Sequence, residues 1–472
     1  VCATLALVAG LALRLWFVAH AARIDGDTLV YGNIAKNWLQ HGVYGYVQTE
    51  KSILPTLIRL PGYPIFLAAC FSIFGPDQYT AVMCLQCVID LLTCLLLAAL
   101  AARLFGRRAS MAALLLSALC PFTATYAATA LTETLTLATV ALTFYGLHRW
   151  RTAGLGFNRW LGLTSAAMAY SVLLRPEQGL LAAAVVPAML WMTLRSPEQR
   201  LGARSNLLRT VTPVILAAVV VVLPLAPWTL RNWRTFHVLQ PLAPRSATDP
   251  GEFVPAGFYR WYRTWAIDFA STEEVYWNYD NSPVEIRDLP TRAFDTDDQY
   301  ARTDALLNLY NRNFQPTAQN DARFEALAEE RIHADPLRYY VALPVARLLN
   351  MVLRPRTEMF PTSLDWWEGS EHPGQTIFAA AYAALNLAYF ILGGVGLWFW
   401  HRRGWGENTP LAWAMLAFLL LRCALLLTLD NSEPRYTLEL FPLLVVWGSS
   451  VFGPGGSAFN PDQPSALSKK NS

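Results

Sequence analysis

Six short motifs place charged side chains at the ends of apolar runs, and their residue types suit chemistry on an anionic substrate. The first closes the opening apolar run and supplies Asp25 and Asp27, with Tyr31 one helical turn further on. A carboxylate beside a membrane-scale apolar segment is costly and implies a role. The stretch predicts a helix from Thr28 to about Gln40, with Asp27 as N-cap and His41-Gly42 as its stop. An Asp-x-Asp spacing also suits a divalent cation, although two carboxylates do not complete a coordination shell. The candidate site is therefore read without a metal, with a cation kept as the alternative. Next, Arg59-Leu60-Pro61-Gly62-Tyr63-Pro64 sets a guanidinium before a rigid turn. Its planar fork of donors suits a phosphate headgroup, and its plainer use is to anchor ordinary lipid.

Four more motifs follow: Leu131-Thr132-Glu133-Thr134, Leu174-Arg175-Pro176-Glu177, Trp228-Thr229-Leu230-Arg231-Asn232 and Glu433-Pro434-Arg435-Tyr436. Each alone reads as a helix-end residue at an interface. Together they gather arginines and acids on one side, a mixture that suits binding an anionic headgroup next to a general base.

The elements that must position these residues are membrane helices. Apolar runs long enough to cross about 30 Å of hydrocarbon lie near 1–20, 79–104, 110–128, 131–148, 159–174, 179–195, 210–230, 376–400, 409–428 and 436–452. The first run reads as a membrane helix trimmed at its start, not a removed signal peptide. Arginines at 103, 107 and 108, at 149, 151 and 159, at 195, 200, 204 and 209, and at 402 and 403 all fall on one side if the spans alternate. Positive short loops stay cytoplasmic, which puts the N-terminus inside and the six motifs outside. The stretches 64–74 and 339–353 are too short or interrupted to span, and are expected to lie at the outer interface.

The charge budget agrees with this partition. Only 15% of the 472 residues are charged and 54% are hydrophobic, with 17 Trp, whereas a soluble domain carries about 25% charge. That composition excludes disorder and an ordinary cytosolic enzyme. A net charge of +3 and the lack of a basic run with interleaved aromatics argue against nucleic acid as a partner. Residues 248–345 hold 17 acids against nine basic residues, half of the 34 acids in the chain. With Trp261, Trp265, Tyr276, Trp277 and Tyr279, this region reads as an ordered, membrane-apposed and partly helical loop domain. The expected divisions are a catalytic membrane module at 1–240 with its first outer loop at 21–60, an extracytoplasmic region at 241–374, C-terminal membrane helices at 375–452 and a disordered tail at 453–472. All seven cysteines lie in apolar runs, so no disulfide framework is expected, and Cys84 and Cys87 form a lone CxxC in a predicted span.

In this order the motifs resemble the polytopic glycosyltransferases of the C-type fold that use polyprenyl-phosphate sugars, among them protein O-mannosyltransferases and lipid A aminoarabinose transferases. The resemblance runs through Asp27-Thr28-x-x-Tyr31, Arg59-x-Pro61-Gly62-Tyr63-Pro64, Leu131-Thr132-Glu133-Thr134-Leu135, Leu174-Arg175-Pro176, Pro227-Trp228-x-x-Arg231-Asn232 and Glu433-Pro434-Arg435-Tyr436. It covers roughly residues 10–240 and 376–450. It implies an all-α polytopic membrane protein of about ten or more spans, with interfacial helices and a mainly helical outer domain. Asp27 matches the family's catalytic acid, with Asp25 beside it; many members carry Asp-Glu where this chain has Asp27-Thr28. Arg59 matches the residue that contacts the lipid phosphate, and Arg435 the arginine that closes the site. Arg231 and Arg175 complete the phosphate-binding candidates, with Tyr31, Tyr63, Glu133, Glu433 and Tyr436 as substrate contacts.

The resemblance implies transfer of a sugar from a polyprenyl-phosphate donor to a hydroxyl on a lipid, glycan or protein, at the outer face of the inner membrane. Two other classes fit the charge partition. A flippase for a lipid-linked sugar would also need many spans and intramembrane charge, although no internal repeat relates the two halves. A non-catalytic receptor or assembly factor would use the outer domain to bind a partner.

Overall fold

The computed structural model describes residues 1–49, 52–195, 207–367 and 372–453. The chain is a helical polytopic membrane protein that carries, among the described residues, one small hairpin. Its helices are α1 (Cys2–His20), α2 (Gly26–His41), α3 (Gly62–Phe74), α4 (Tyr79–Phe105), α5 (Arg107–Ala118), α6 (Pro121–Ala127), α7 (Glu133–Thr152), α8 (Arg159–Leu174), α9 (Gly179–Leu194), α10 (Leu207–Val222) and α11 (Leu225–Phe236). The long segment after α11 supplies α12 (Ala256–Arg263), α13 (Asp297–Tyr310), α14 (Ala318–Ala334) and α15 (Leu343–Leu353). The chain ends in α16 (Pro373–Arg402), α17 (Thr409–Leu426) and α18 (Phe441–Ser449).

All ten apolar runs are helical, but among the described residues six helices are long and apolar enough to cross a membrane, or seven counting the bent pair α5 and α6. The other runs fall short for physical reasons. α8 is 16 residues long, and the last run is broken into 3₁₀ and α segments. α7 is long enough, but its interior face carries buried Thr134, Thr136, Thr139 and Thr143, which lower its hydropathy. Their hydroxyls are satisfied locally: Thr136 donates to the Thr132 carbonyl at 2.9 Å and Thr143 to that of Thr139 at 2.8 Å. A helix sheathed by other helices tolerates such residues.

The spans are less free of charge than their average suggests. α5 and α6 meet at a 54° bend, where Pro121 has no N–H to give. The Arg14 side chain of α1 fills the gap, donating to the carbonyls of Ala118 at 2.7 Å and Ser117 at 3.4 Å. Its Nε also bonds Asp90 of α4 at 2.8 Å. α1 can approach this break because residue 10 is glycine; a Cβ there would stand 2.8 Å from the Ala118 oxygen.

The arginine-rich loops gather at one end. Arg151 bonds Glu407 at 2.9 Å and Asn408 at 3.0 Å, and Arg403 bonds the Ser450 carbonyl at 2.9 Å. Arg200, Arg204 and the tail beyond Gly453 lie outside the described residues, as does the side chain of Arg209.

The segment that carries α12 to α15 has its own core. Phe258, Trp261, Tyr262, Trp265, Tyr279, Tyr310 and Phe324 are all buried, with the rings of Phe258 and Tyr279 stacked at 3.5 Å. Of the five aromatics that mark this region in the sequence, Trp261, Trp265 and Tyr279 are buried, Tyr276 packs against the same core, and Trp277 is exposed. Four of the five thus build the ordered domain itself. Attachment is polar: Arg263 pairs with Asp430 at 3.2 Å, and the Ser432 N–H donates to Thr272 at 3.0 Å. The domain thereby rests on the turn that carries Glu433 and Arg435.

Candidate active site

Asp27 reaches the site from α2, though not as its N-cap. Gly26, at φ +45°, already belongs to the helix, and extended Asp25 takes the cap position without a side-chain hydrogen bond. The Asp27 carboxylate instead turns to two arginines, while its place in the first turn adds a favourable interaction with the helix dipole.

Arg59 comes from the turn before α3. The Tyr44 hydroxyl donates to the Arg59 carbonyl at 3.0 Å and fixes its backbone. Gly62 lets α3 lie against α8; a Cβ at that position would come within 2.5 Å of the Leu173 carbonyl. Arg435 comes from the turn that leads into α18. That turn is held by buried Arg356, whose guanidinium donates to the Pro434 carbonyl at 2.8 Å, to Asn386 at 3.1 Å and to the Thr437 hydroxyl.

These three elements, two of them 32 residues apart and the third about 400 residues away, converge on one carboxylate. Arg59 bonds one Asp27 oxygen at 2.6 Å and Arg435 the other at 3.0 Å. The three side chains remain partly exposed, at 27%, 23% and 19%, so the cluster opens to a ligand. Behind it, Arg435 also pairs with Glu433 and stands 4.0 Å from Glu133. Glu133 pairs with Arg175 at 3.1 Å; Arg175 pairs with Glu177 at 2.7 Å and approaches Glu439, which Arg422 holds at 3.1 Å. Five carboxylates (Asp27, Glu133, Glu177, Glu433, Glu439) thus share four guanidiniums (Arg59, Arg175, Arg422, Arg435).

The cluster splits the affinities of its acids for protons. Burial alone would raise Asp27, but the charges of Arg435 and Arg59 outweigh it and hold the carboxyl far below the usual range. Burial pushes Glu433 up to about 7, against the pull of Arg435.

The other expected residues divide. Tyr31 lies edge-on to Tyr63 at 5.1 Å and under Arg59 at 5.7 Å, and Tyr436 lies 5.7 Å from both Arg175 and Arg435. Tyr63 is fully buried and donates to Gln86 at 2.7 Å, which makes it a packing residue beneath the site. Arg231 is not brought to the cluster. It holds the carbonyls of Thr56 at 2.7 Å and Tyr44 at 2.8 Å, clamping the hairpin of β1 (Gly45–Thr49) and β2 (Ser52–Pro55). Asp25 is exposed and takes part in none of the cluster's ion pairs. Among the described residues, no group of three or more His, Cys, Asp or Glu is placed to hold a metal ion.

Gln178, Glu439 and Arg422 were not anticipated as site residues, and Glu177 was named only as part of its motif. Glu439 and Arg422 carry a legible signal, a charge inside an apolar run, that a window average hides.

Residues 59–228 match the dolichyl-phosphate-mannose-protein mannosyltransferase family. The resemblance read from the motifs therefore holds over a stretch that contains Arg59, Glu133 and Arg175, while Asp27 and Arg435 flank it. Two solved structures are similar: ArnT from Cupriavidus metallidurans bound to undecaprenyl phosphate, at 13% identity and TM-score 0.35, and the same protein in the apo state, at 14% and 0.34. In both cases 95% of this chain and 77% of the other are covered. No curated protein sequence matches the chain.

Proposed function

We propose that this chain is an integral membrane glycosyltransferase that moves a sugar from a polyprenyl-phosphate-linked donor to a hydroxyl on a lipid, glycan or protein acceptor. The family match over residues 59–228 supports a membrane glycosyltransferase with such a donor, and the helical architecture agrees with the C-type fold. The proposed setting is the inner membrane, with a cytoplasmic N-terminus and the site on the extracytoplasmic side. The observation that carries the mechanism is the Asp27 carboxylate set between Arg59 and Arg435.

A polyprenyl-phosphate sugar already carries its leaving group, so the chain has only to orient, neutralise and move one proton. Asp27 takes the proton of the acceptor hydroxyl as that oxygen attacks the anomeric carbon from the face opposite the phosphate, which inverts the centre. The C–O bond to the phosphate breaks and its electrons leave with the polyprenyl phosphate. Arg59 and Arg435 stabilise the charge building there, a contribution often larger than that of the base. Such a base is worth roughly 10² to 10⁴ in rate.

The test is Asp27→Asn in membranes supplied with a polyprenyl-phosphate sugar. The variant should insert and fold but lose transfer, and retained transfer would remove Asp27 from the mechanism. Arg59→Ala should impair donor use; unchanged kinetics across donor concentrations would count against a phosphate contact.

A further inference from the structure

Arg435 is one cation serving three acids. It bonds Asp27 at 3.0 Å, pairs with Glu433 and stands 4.0 Å from Glu133. Glu433 depends on it most. The Glu433 side chain is 6% exposed, its Oε2 has no hydrogen-bond partner, and Arg435 is the cation it pairs with among the described residues. The other groups facing Glu433 cannot replace that cation: Tyr436 of its own turn, Asp27 of α2, Glu133 of α7 and Tyr126 of α6.

Resting on the reading of Arg435 as a phosphate contact, we propose that donor binding is coupled to uptake of one proton by Glu433. When the phosphate takes Arg435, a buried carboxylate is left beside the charges of Asp27 and Glu133. Protonation is the way to keep it there, because an unpaired buried charge costs several kcal/mol. The balance is simple: one monoanionic phosphodiester enters, one proton comes from solvent, an O–H bond forms on Glu433, and no bond of the donor breaks. Neutral Glu433 no longer competes for Arg435. Asp27, now sharing both arginines with the phosphate, regains affinity for the acceptor's proton. Before the donor arrives, burial already brings Glu433 to about 7, so the coupling falls in the neutral range.

The test is calorimetric titration of the purified full chain in nanodiscs with farnesyl methyl phosphate, a diester whose single charge does not itself titrate near neutrality. Paired buffers of different ionisation enthalpy report the protons exchanged. Uptake should be about half a proton at pH 7 and close to one at pH 8, with the dissociation constant rising about fivefold between them. In Glu433→Gln the diester should bind with no uptake and a flat pH dependence. Failure of the diester to bind at any pH overturns the phosphate reading and this inference with it. Binding to the unaltered chain with no uptake and a flat dissociation constant overturns the coupling alone, however the variant behaves. Uptake that survives in Glu433→Gln assigns the proton elsewhere and also overturns it.

Discussion

The Arg14–Asp90 pair should show unequal costs for its two halves, because Arg14 does two jobs and Asp90 one. Both side chains are buried, at 0% and 4% exposure. Removing either partner of such a pair leaves the other unpaired, which costs about 3–5 kcal/mol. In Asp90→Asn, Arg14 still donates to the carbonyls of Gly10 and Ala118, so the cost should sit near the low end, about 3 kcal/mol. Arg14→Met leaves Asp90 bare and also strips the donor from the carbonyls at the α5–α6 break. An unsatisfied buried acceptor adds about 1–3 kcal/mol, which brings the total to roughly 5 kcal/mol or more. The double variant Arg14→Met/Asp90→Leu removes both charges, so its cost should fall at least about 2 kcal/mol short of the sum of the single variants. Unfolding in mixed micelles followed by tryptophan fluorescence would measure all three. Equal costs for the single variants, or additive costs in the double, would refute the assignment of Arg14 as the residue that satisfies the broken span.

Further expectations concern the cluster and the outer domain. Glu433 binds a proton more tightly folded than unfolded, so its contribution to stability is greatest at acid pH. Stability should fall by up to about 3 kcal/mol as pH rises from 4.5 to 7, then level off, and Glu433→Gln should flatten the thermal-unfolding profile across that window. Asp27 has the opposite sign: its contribution is present above about pH 4 and lost only under strong acid, so Asp27→Asn should remove that acid-side loss and, by taking a like charge from beside Glu433, move the Glu433 window to lower pH. Arg356→Lys keeps the charge but cannot reach Pro434, Asn386 and Thr437 together; transfer should drop roughly tenfold or more through the displaced turn, while the protein still inserts. Trp261→Ala should destabilise the outer domain by about 3–5 kcal/mol, seen as faster proteolysis between residues 250 and 340, and unchanged cleavage would refute its place in that core.

The membrane helices were legible because twenty apolar residues carry a large, redundant signal. Single polar exceptions inside them were not. Arg14, Asp90, Arg422 and Glu439 each vanish into a window average, and only the packed bundle shows that they pair. The hairpin at 45–55 was missed for a related reason: its strands are short, and what fastens them is Arg231, far away in sequence, capping the Tyr44 and Thr56 carbonyls. That same contact explains why Arg231 looked like a phosphate ligand. An arginine at a span end has one sequence signature whether it holds a ligand or a backbone. Asp27, Arg59 and Arg435 could be singled out because their motifs, in this order, match those of the family the chain resembles, but which carboxylate would take both arginines is a matter of tertiary geometry.

That geometry contains a tension in the proposed reaction. A general base must want a proton, yet the arrangement makes Asp27 one of the weakest bases in the cluster, held down by the two cations best placed for a phosphate. The tension resolves if the arginines are a shared resource. Five carboxylates divide four guanidiniums, and an entering phosphate can be satisfied only by drawing cations away from acids. Asp27 then gains basicity when the leaving group is in place, and remains quenched when it is not. A chain with Arg59→Lys should expose this sharing: a point charge in place of the fork cannot serve phosphate and carboxylate together. Its transfer should fall at saturating donor, not only at low donor. A loss confined to low donor would mean that Arg59 binds the phosphate without governing the base.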